Sequence, residues 1–98
     1  MTTSRIVRFT DAFFERLDEL LPEERDADGM LSVTDFLVFE VPPISKRLSR
    51  DFEGATLSTD DEGIRLFVGR GLFVPNIAVF ARLEPDGSVA AFWLSLDT

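Results

Sequence analysis

The 98-residue chain contains no cysteine, no histidine and no tyrosine. Without cysteine there is no disulfide and no thiolate nucleophile, and a reducing compartment is favoured, so we expect a cytoplasmic protein. Without histidine, the chain lacks the side chain that most often transfers protons near neutral pH and that commonly binds metals. Without tyrosine, it lacks phenolic groups. The composition therefore disfavours an enzyme, and we expect no cofactor, no metal site and no catalytic residue.

Basic residues are also scarce: 10 Lys and Arg stand against 18 Asp and Glu, for a net charge of −8. Because nucleic-acid-binding proteins neutralise phosphates with basic patches, we expect no direct nucleic-acid binding. The charge is uneven. Residues 10–41 hold ten acids and two bases, whereas residues 42–50 hold Lys46, Arg47 and Arg50 without an acid. The acidic surface suits solubility, a basic partner or mimicry of nucleic acid.

Long apolar runs are absent, and no stretch approaches the length of a membrane span. The first ten residues, MTTSRIVRFT, carry no apolar run and do not match a secretory signal. We therefore expect no membrane association. With 45% hydrophobic and 29% charged residues, the composition is typical of a globular protein, and the length predicts a single domain over residues 1–98.

The most informative stretch is residues 64–96, where apolar segments are separated by turn signals. Residues 84–87, EPDG, predict a three-residue hairpin loop, a type I turn closed by a left-handed glycine. Counting outward from Glu84 opposite Ser88 pairs Phe80 with Phe92, and residue 79 with residue 93. Two apolar faces result, one with Ile77, Val79, Leu83, Val89 and Trp93, the other with Ala78, Phe80, Phe92, Leu94 and Leu96.

Two apolar faces leave two arrangements open. Either helices cover both faces of the sheet, or they cover one face and a partner chain covers the other. A second copy of the chain is one possible partner, which would make a homodimer.

Upstream of the sheet, the sequence predicts a strand over residues 5–9 and a helix over 11–21, capped by Thr10. Ser32 and Asp35 then match a capping box. Residues 33–41 suit a strand by composition, but an apolar stripe at helical spacing favours a helix that is bent or broken at Pro42-Pro43. That stripe consists of Val33, Leu37, Val41, Ile44, Leu48 and Phe52. Residues 55–63 are predicted to form a polar loop.

The predicted order is a strand, two helices and then a three- to four-stranded antiparallel sheet, which makes the fold class α+β. This order resembles the RelE/ParE superfamily of toxins from bacterial toxin–antitoxin modules. The matching segments are RIVRFTDAFFERLDELL as first strand and helix, KRLSRDF in the second helix, and IAVFARLEPDGSVAAFWL as the penultimate hairpin.

The resemblance implies a mode of action as well as a fold. Ribonuclease members of that superfamily use basic residues, often with tyrosine or histidine, near the last strands. Here the bases near those strands are Arg65, Arg70 and Arg82, and arginine stabilises phosphate charge but is a poor proton shuttle. The resemblance therefore favours the gyrase-directed branch, which acts by protein contact, and implies neutralisation by an antitoxin segment.

Two functions follow as hypotheses. The first is a toxin-like protein of a type II toxin–antitoxin module, which acts through protein contacts and is neutralised by a cognate antitoxin. The second is a small acidic inhibitor, immunity protein or nucleic-acid mimic that occupies a basic surface of its partner. In either case the candidate partner-contact residues are Lys46, Arg47, Arg50, Arg65, Arg70, Arg82, Phe80 and Phe92.

Overall fold

A computed structural model describes residues 4–21 and 31–97 as an α+β fold, which confirms the predicted class. Its elements are β1 (Val7–Phe9), α1 (Asp11–Leu20), α2 (Val33–Asp35), a π-helical segment (Phe36–Glu40), α3 (Val41–Arg50), α4 (Phe52–Ala55), β2 (Thr56–Ser58), β3 (Ile64–Gly69), β4 (Asn76–Leu83) and β5 (Val89–Asp97). The sheet order is β1-β5-β4-β3-β2. The sheet is mixed, because β1 runs parallel to β5 while the other neighbours are antiparallel.

Residues 33–50 form one helical run, so the helical interpretation of 33–41 is confirmed. The predicted capping box is present: the Ser32 hydroxyl accepts the Asp35 N–H at 3.1 Å, and the Asp35 carboxylate accepts the Ser32 N–H at 3.2 Å. The distortion lies before the prolines rather than at them. Pro42 and Pro43 have no N–H, and a proline ring clashes with the carbonyl four residues earlier. The preceding turn widens accordingly, and the Val41 N–H donates to the Phe36 carbonyl, five residues back.

The π-helical segment changes which side chains face the core. The predicted stripe placed Leu37 inside, but Leu37 is exposed and Phe36 is fully buried. The inward positions are Phe36, Glu40, Ile44 and Leu48, four residues apart. The stripe prediction was therefore wrong at residue 37, because a widened turn advances the helix by a different angle per residue. Val33 and Val41 pack against the core as predicted.

The hairpin turn forms as predicted. The Glu84 N–H donates to the Ser88 carbonyl at 2.7 Å, and Gly87 adopts a φ of 89°, which a side chain would disfavour. The Asp86 carboxylate accepts bonds from both the hydroxyl and the N–H of Ser88. The hydroxyl bond, followed by the N–H bond, holds the pKa of Asp86 below its ordinary value.

The predicted hairpin register is correct from residue 83 to residue 81 and wrong beyond it. A β-bulge at Phe92 makes Phe80 pair with Trp93, and Val79 pair with Leu94. The bulge reverses the faces of the later residues, so that Leu94 is fully buried while Trp93 is 40% exposed. With the bulge, Leu94 rather than Trp93 occupies the buried position beside Val79, and the hydrophobic pattern favours this register. The predicted Phe80–Phe92 pair therefore does not form.

The helices and the loop before β4 pack against one face of the sheet and enclose a single apolar cluster. Its largest members are Phe13, Leu17, Phe36, Leu48, Phe52, Phe67, Ile77 and Leu94. Residues 56–58, predicted to be loop, pair with β3 as a short edge strand. In the described ranges 4–21 and 31–97, no helix is both long and apolar enough to cross a membrane.

Candidate functional site

The sheet face opposite the helices presents an apolar row across four strands. The row is defined by Leu57, Leu66, Phe80 and Trp93, each of which is the register partner of the next. Leu57 is 61% exposed and Trp93 is 40% exposed, whereas Leu66 and Phe80 between them are half-buried. The neighbouring Val68 is 50% exposed. Exposed apolar side chains that lie side by side across a sheet form a surface that protein contacts can bury.

A cavity of about 430 Å³ lies on the other side of the sheet, between the helical run and the loop after β3. We call it the arginine pocket. Phe39, Ile44, Phe67, Leu72 and Ile77 supply its apolar walls, and Arg47 and Arg70 supply its charge. Its volume falls within the range of ligand clefts in proteins, about 300–1,000 Å³.

A buried carboxylate fixes the loop that borders the arginine pocket. Glu40, only 2% exposed, accepts the N–H of Leu72 at 2.6 Å on Oε1, and those of Phe73 at 3.2 Å and Val74 at 3.1 Å on Oε2. Three consecutive backbone donors thus share one carboxylate, which satisfies its charge with the dipoles of the chain. The Glu40 side chain is therefore a structural anchor rather than an available base.

Two glycines allow close packing in this part of the pocket, Gly71 against the anchor and Gly69 against the Phe67 ring. A Cβ on Gly71 would come within 2.7 Å of both Glu40 Cδ and Ile77 Cδ1. A Cβ on Gly69 would come within 2.7 Å of the Phe67 ring. The Arg47 guanidinium carbon lies 5.3 Å from the centre of that ring, on its face. One wall of the pocket is therefore a stack of backbone, aromatic ring and cation.

The bases beside the pocket have no ion-paired acidic partner within the described ranges, a property that Arg8 and Arg65 share. Arg5, Arg16 and Arg82 form ion pairs with Glu53, Glu19 and Glu84. By contrast, within residues 4–21 and 31–97 no carboxylate forms an ion pair with Lys46, Arg47, Arg50 or Arg70. Three of these four line a second cleft of about 210 Å³ along α3, which shares Arg47 with the arginine pocket.

The structure brings together half of the predicted contact residues. Lys46, Arg47, Arg50 and Arg70 border the two adjoining clefts. Arg65 is instead committed to the fold, because its guanidinium donates to the Thr56 hydroxyl at 2.6 Å and to the Thr56 carbonyl at 3.0 Å. The side chains of Phe80, Arg82 and Phe92 belong to the open sheet face, where Arg82 lies over the Phe92 ring at 5.4 Å.

The sequence interpretation did not identify Glu40 or the apolar pocket walls. One signal was present: Glu40 is the only charged residue in the run FLVFEV, four residues from Phe36 and from Ile44. A charge at an inward helical position has to find partners inside the protein. Its partners lie more than 30 residues further along the chain, and local patterns do not reveal contacts at that distance.

The arrangement suits binding better than catalysis. The described charged groups near the pocket are guanidiniums, which donate hydrogen bonds but do not accept them, and a carboxylate already bonded to three amides. Among the described residues, no group of three or more acidic side chains is placed to hold a metal ion. An apolar cavity with cations at its edge fits a ligand that carries an apolar group beside an anionic one.

Comparison with known proteins identifies no relative: no family model, no curated protein and no solved structure matches this chain.

Proposed function

We propose that this chain acts by protein contact, as a toxin-like protein of a type II toxin–antitoxin module that a cognate antitoxin neutralises. The observation that carries the proposal is the apolar row on the open sheet face, Leu57, Leu66, Phe80 and Trp93. A partner segment laid across these strands would bury side chains that water now contacts.

The element order supports the toxin-like form of the proposal. A first strand and helix, a second helical run and a closing antiparallel hairpin follow one another as in the RelE/ParE resemblance. The absence of histidine, cysteine and tyrosine supports action by contact rather than RNA cleavage. The antitoxin is the proposed partner for the open face, and the toxin's target is a second protein.

Growth on induced expression tests the proposal. We expect the wild-type chain to arrest growth of a bacterial host, and co-expression of a small protein encoded beside it to relieve the arrest. The variant Leu57→Lys/Val68→Lys places two charges on the open face and should lose one or both effects. Phe14→Lys is the matched control, because Phe14 is 41% exposed on α1, away from that face, and it should behave like the wild type.

The test has a clear negative result. If folded, soluble wild-type protein accumulates and growth continues, the toxin proposal is wrong. If the open-face variant and the Phe14 variant arrest growth equally and respond equally to the neighbour, the apolar row is not the contact surface. Circular dichroism and thermal melting of both variants separate loss of contact from loss of folding.

One observation favours the alternative, an acidic inhibitor, immunity protein or nucleic-acid mimic. Asp11, Glu15 and Asp18 are exposed and lie at helical spacing on one side of α1. Such a stripe suits a basic partner surface. The alternative predicts a salt-sensitive complex with a nucleic-acid-binding protein, abolished by Asp11→Asn/Glu15→Gln/Asp18→Asn. Under the toxin proposal, the same triple variant still arrests growth.

A further inference from the structure

The arginine pocket combines two features that are unfavourable on a protein surface unless a ligand binds there. Its walls are apolar and open to solvent, with Phe39 at 42% and Leu72 at 72% exposed. Its two guanidiniums lack a carboxylate partner within the described part of the chain, although acids outnumber bases 18 to 10. In so acidic a chain, a cluster of bases without internal ion pairs points to an acidic group from outside.

The loop that borders the pocket is held without an ion pair to those guanidiniums, although Arg47 also packs over the Phe67 ring. Glu40 is satisfied by three backbone N–H groups, and the loop is further closed by a 2.8 Å bond from the Gly71 N–H to the Val74 carbonyl. The one buried acid in the pocket wall therefore does not neutralise Arg47 or Arg70. A preformed site with free cations loses little conformational entropy when an anion binds.

The shape favours a polypeptide over a small anion. The arginine pocket and the cleft along α3 adjoin at Arg47, with volumes of about 430 and 210 Å³. Lys46 and Arg50 extend the positive charge along the second cleft. Together the two clefts offer an apolar cavity followed by a cleft with three cations and one carboxylate, Asp51. The surplus of positive charge matches an extended segment with a large apolar side chain and several carboxylates.

We propose that the arginine pocket and the adjoining cleft bind an acidic segment of a partner protein. A large apolar side chain of that segment enters the pocket, and its carboxylates contact Arg47 and Arg70. This inference rests on the proposed action by protein contact and adds the chemical character of the partner segment. It concerns the helical side of the sheet, so a single partner that also covers the apolar row would have to pass around the sheet edge.

Titration of the isotopically labelled chain with defined peptides, followed by NMR, tests the inference. The probe is a capped pentapeptide with three glutamates, one phenylalanine and one leucine. We expect it to shift the amide signals of Arg47 and of residues 69–72. Replacing the glutamates with glutamines, or the two apolar residues with alanines, should weaken binding at least about tenfold, the effect of one charged contact.

Variants of the chain locate the contact. Arg47→Gln and Arg70→Gln should each weaken binding of the acidic peptide roughly tenfold. Arg82→Gln is the matched control, because Arg82 is exposed but lies on the opposite face of the sheet, and it should bind like the wild type. Thermal melting of each variant confirms that the fold is retained.

Three results would overturn the inference. They are no shift at millimolar peptide, equal binding of the glutamate and glutamine peptides, and binding of phenylpropionate as strong as that of the pentapeptide. The last would assign the pocket to a small organic acid. Leu57→Lys/Val68→Lys should leave peptide binding unchanged. If the chain arrests growth but does not bind the peptide, this inference alone is wrong. If the chain binds the peptide but does not arrest growth, only the toxin proposal is wrong.

Discussion

Replacing Glu40 with glutamine should destabilise the fold although the side chain keeps its size. The carboxylate accepts three N–H groups, and both oxygens are used. A glutamine oxygen in the place of Oε2 keeps the bonds from Phe73 and Val74. Its NH₂ group then takes the place of Oε1, which accepts the Leu72 N–H at 2.6 Å. The NH₂ group and the Leu72 N–H are both donors, so this hydrogen bond cannot form. The opposite orientation loses two bonds.

The magnitude follows from these contacts. A hydrogen bond to a charged group is worth about 1.5–3 kcal/mol, and an unsatisfied buried donor costs about 1–3 kcal/mol. We therefore expect Glu40→Gln to lower the free energy of unfolding by about 2–4 kcal/mol, and Glu40→Ala by about 3–5 kcal/mol. Since a domain of this size is stable by about 5–15 kcal/mol, either change is a large fraction of the total.

Urea denaturation measures the free energy of unfolding, and hydrogen exchange measures the local effect. Exchange of the Leu72, Phe73 and Val74 amides should accelerate in Glu40→Gln more than exchange of the central strands. Glu62→Gln is the control, because Glu62 is exposed, and its change should stay within about 0.5 kcal/mol. A loss below about 1 kcal/mol in Glu40→Gln, with unchanged exchange at residues 72–74, would refute the anchoring role.

Two further substitutions probe the loop and the hairpin. Gly71→Ala should cost about 1–3 kcal/mol in urea denaturation, because its Cβ would crowd Ile77 Cδ1 at 2.7 Å. Gly63→Ala, whose Cβ would meet nothing closer than 3.5 Å, should be near neutral. Because hydrogen bonds from Ser88 lower the pKa of folded Asp86, they stabilise the fold above the unfolded pKa, near 3.8. This stabilisation is lost as the pH falls through the folded pKa. The stability advantage of wild type over Asp86→Asn should therefore shrink on acidification below that value, and a constant difference would contradict it.

Local chemistry explains which parts of the fold the sequence predicts. The EPDG turn and the Ser32–Asp35 capping box are formed by residues within four positions of one another, and both appear as predicted. The apolar–polar pattern likewise predicts α1, where Phe13 and Leu17 are buried. These features depend on short-range hydrogen bonds and on one hydrophobic stripe, which a sequence displays directly.

The features that the sequence does not predict depend on the sheet as a whole. The bulge at Phe92 is favoured because it turns Leu94 inward beside Val79, and this choice requires knowing which face the helices cover. The π-helical segment similarly shifts the inward positions from Leu37 to Phe36. In the hairpin, one extra residue reverses every later side chain of the strand, so a local error alters the whole predicted surface. In the helical run, the predicted Ile44, Leu48 and Phe52 are still buried, so the error is confined to the π-helical segment.

The basic cluster on α3 is visible in the local sequence, but the pocket that it borders is not. The sequence shows Lys46, Arg47 and Arg50 as a basic cluster without an acid, but the apolar cavity beside them forms where the loop after β3 folds back onto Glu40. That loop also brings Arg70 to the cluster from 20 or more residues away. The anchor and the free guanidiniums are thus two consequences of one arrangement: backbone amides neutralise the buried acid, and the arginines remain available for an acid of the partner.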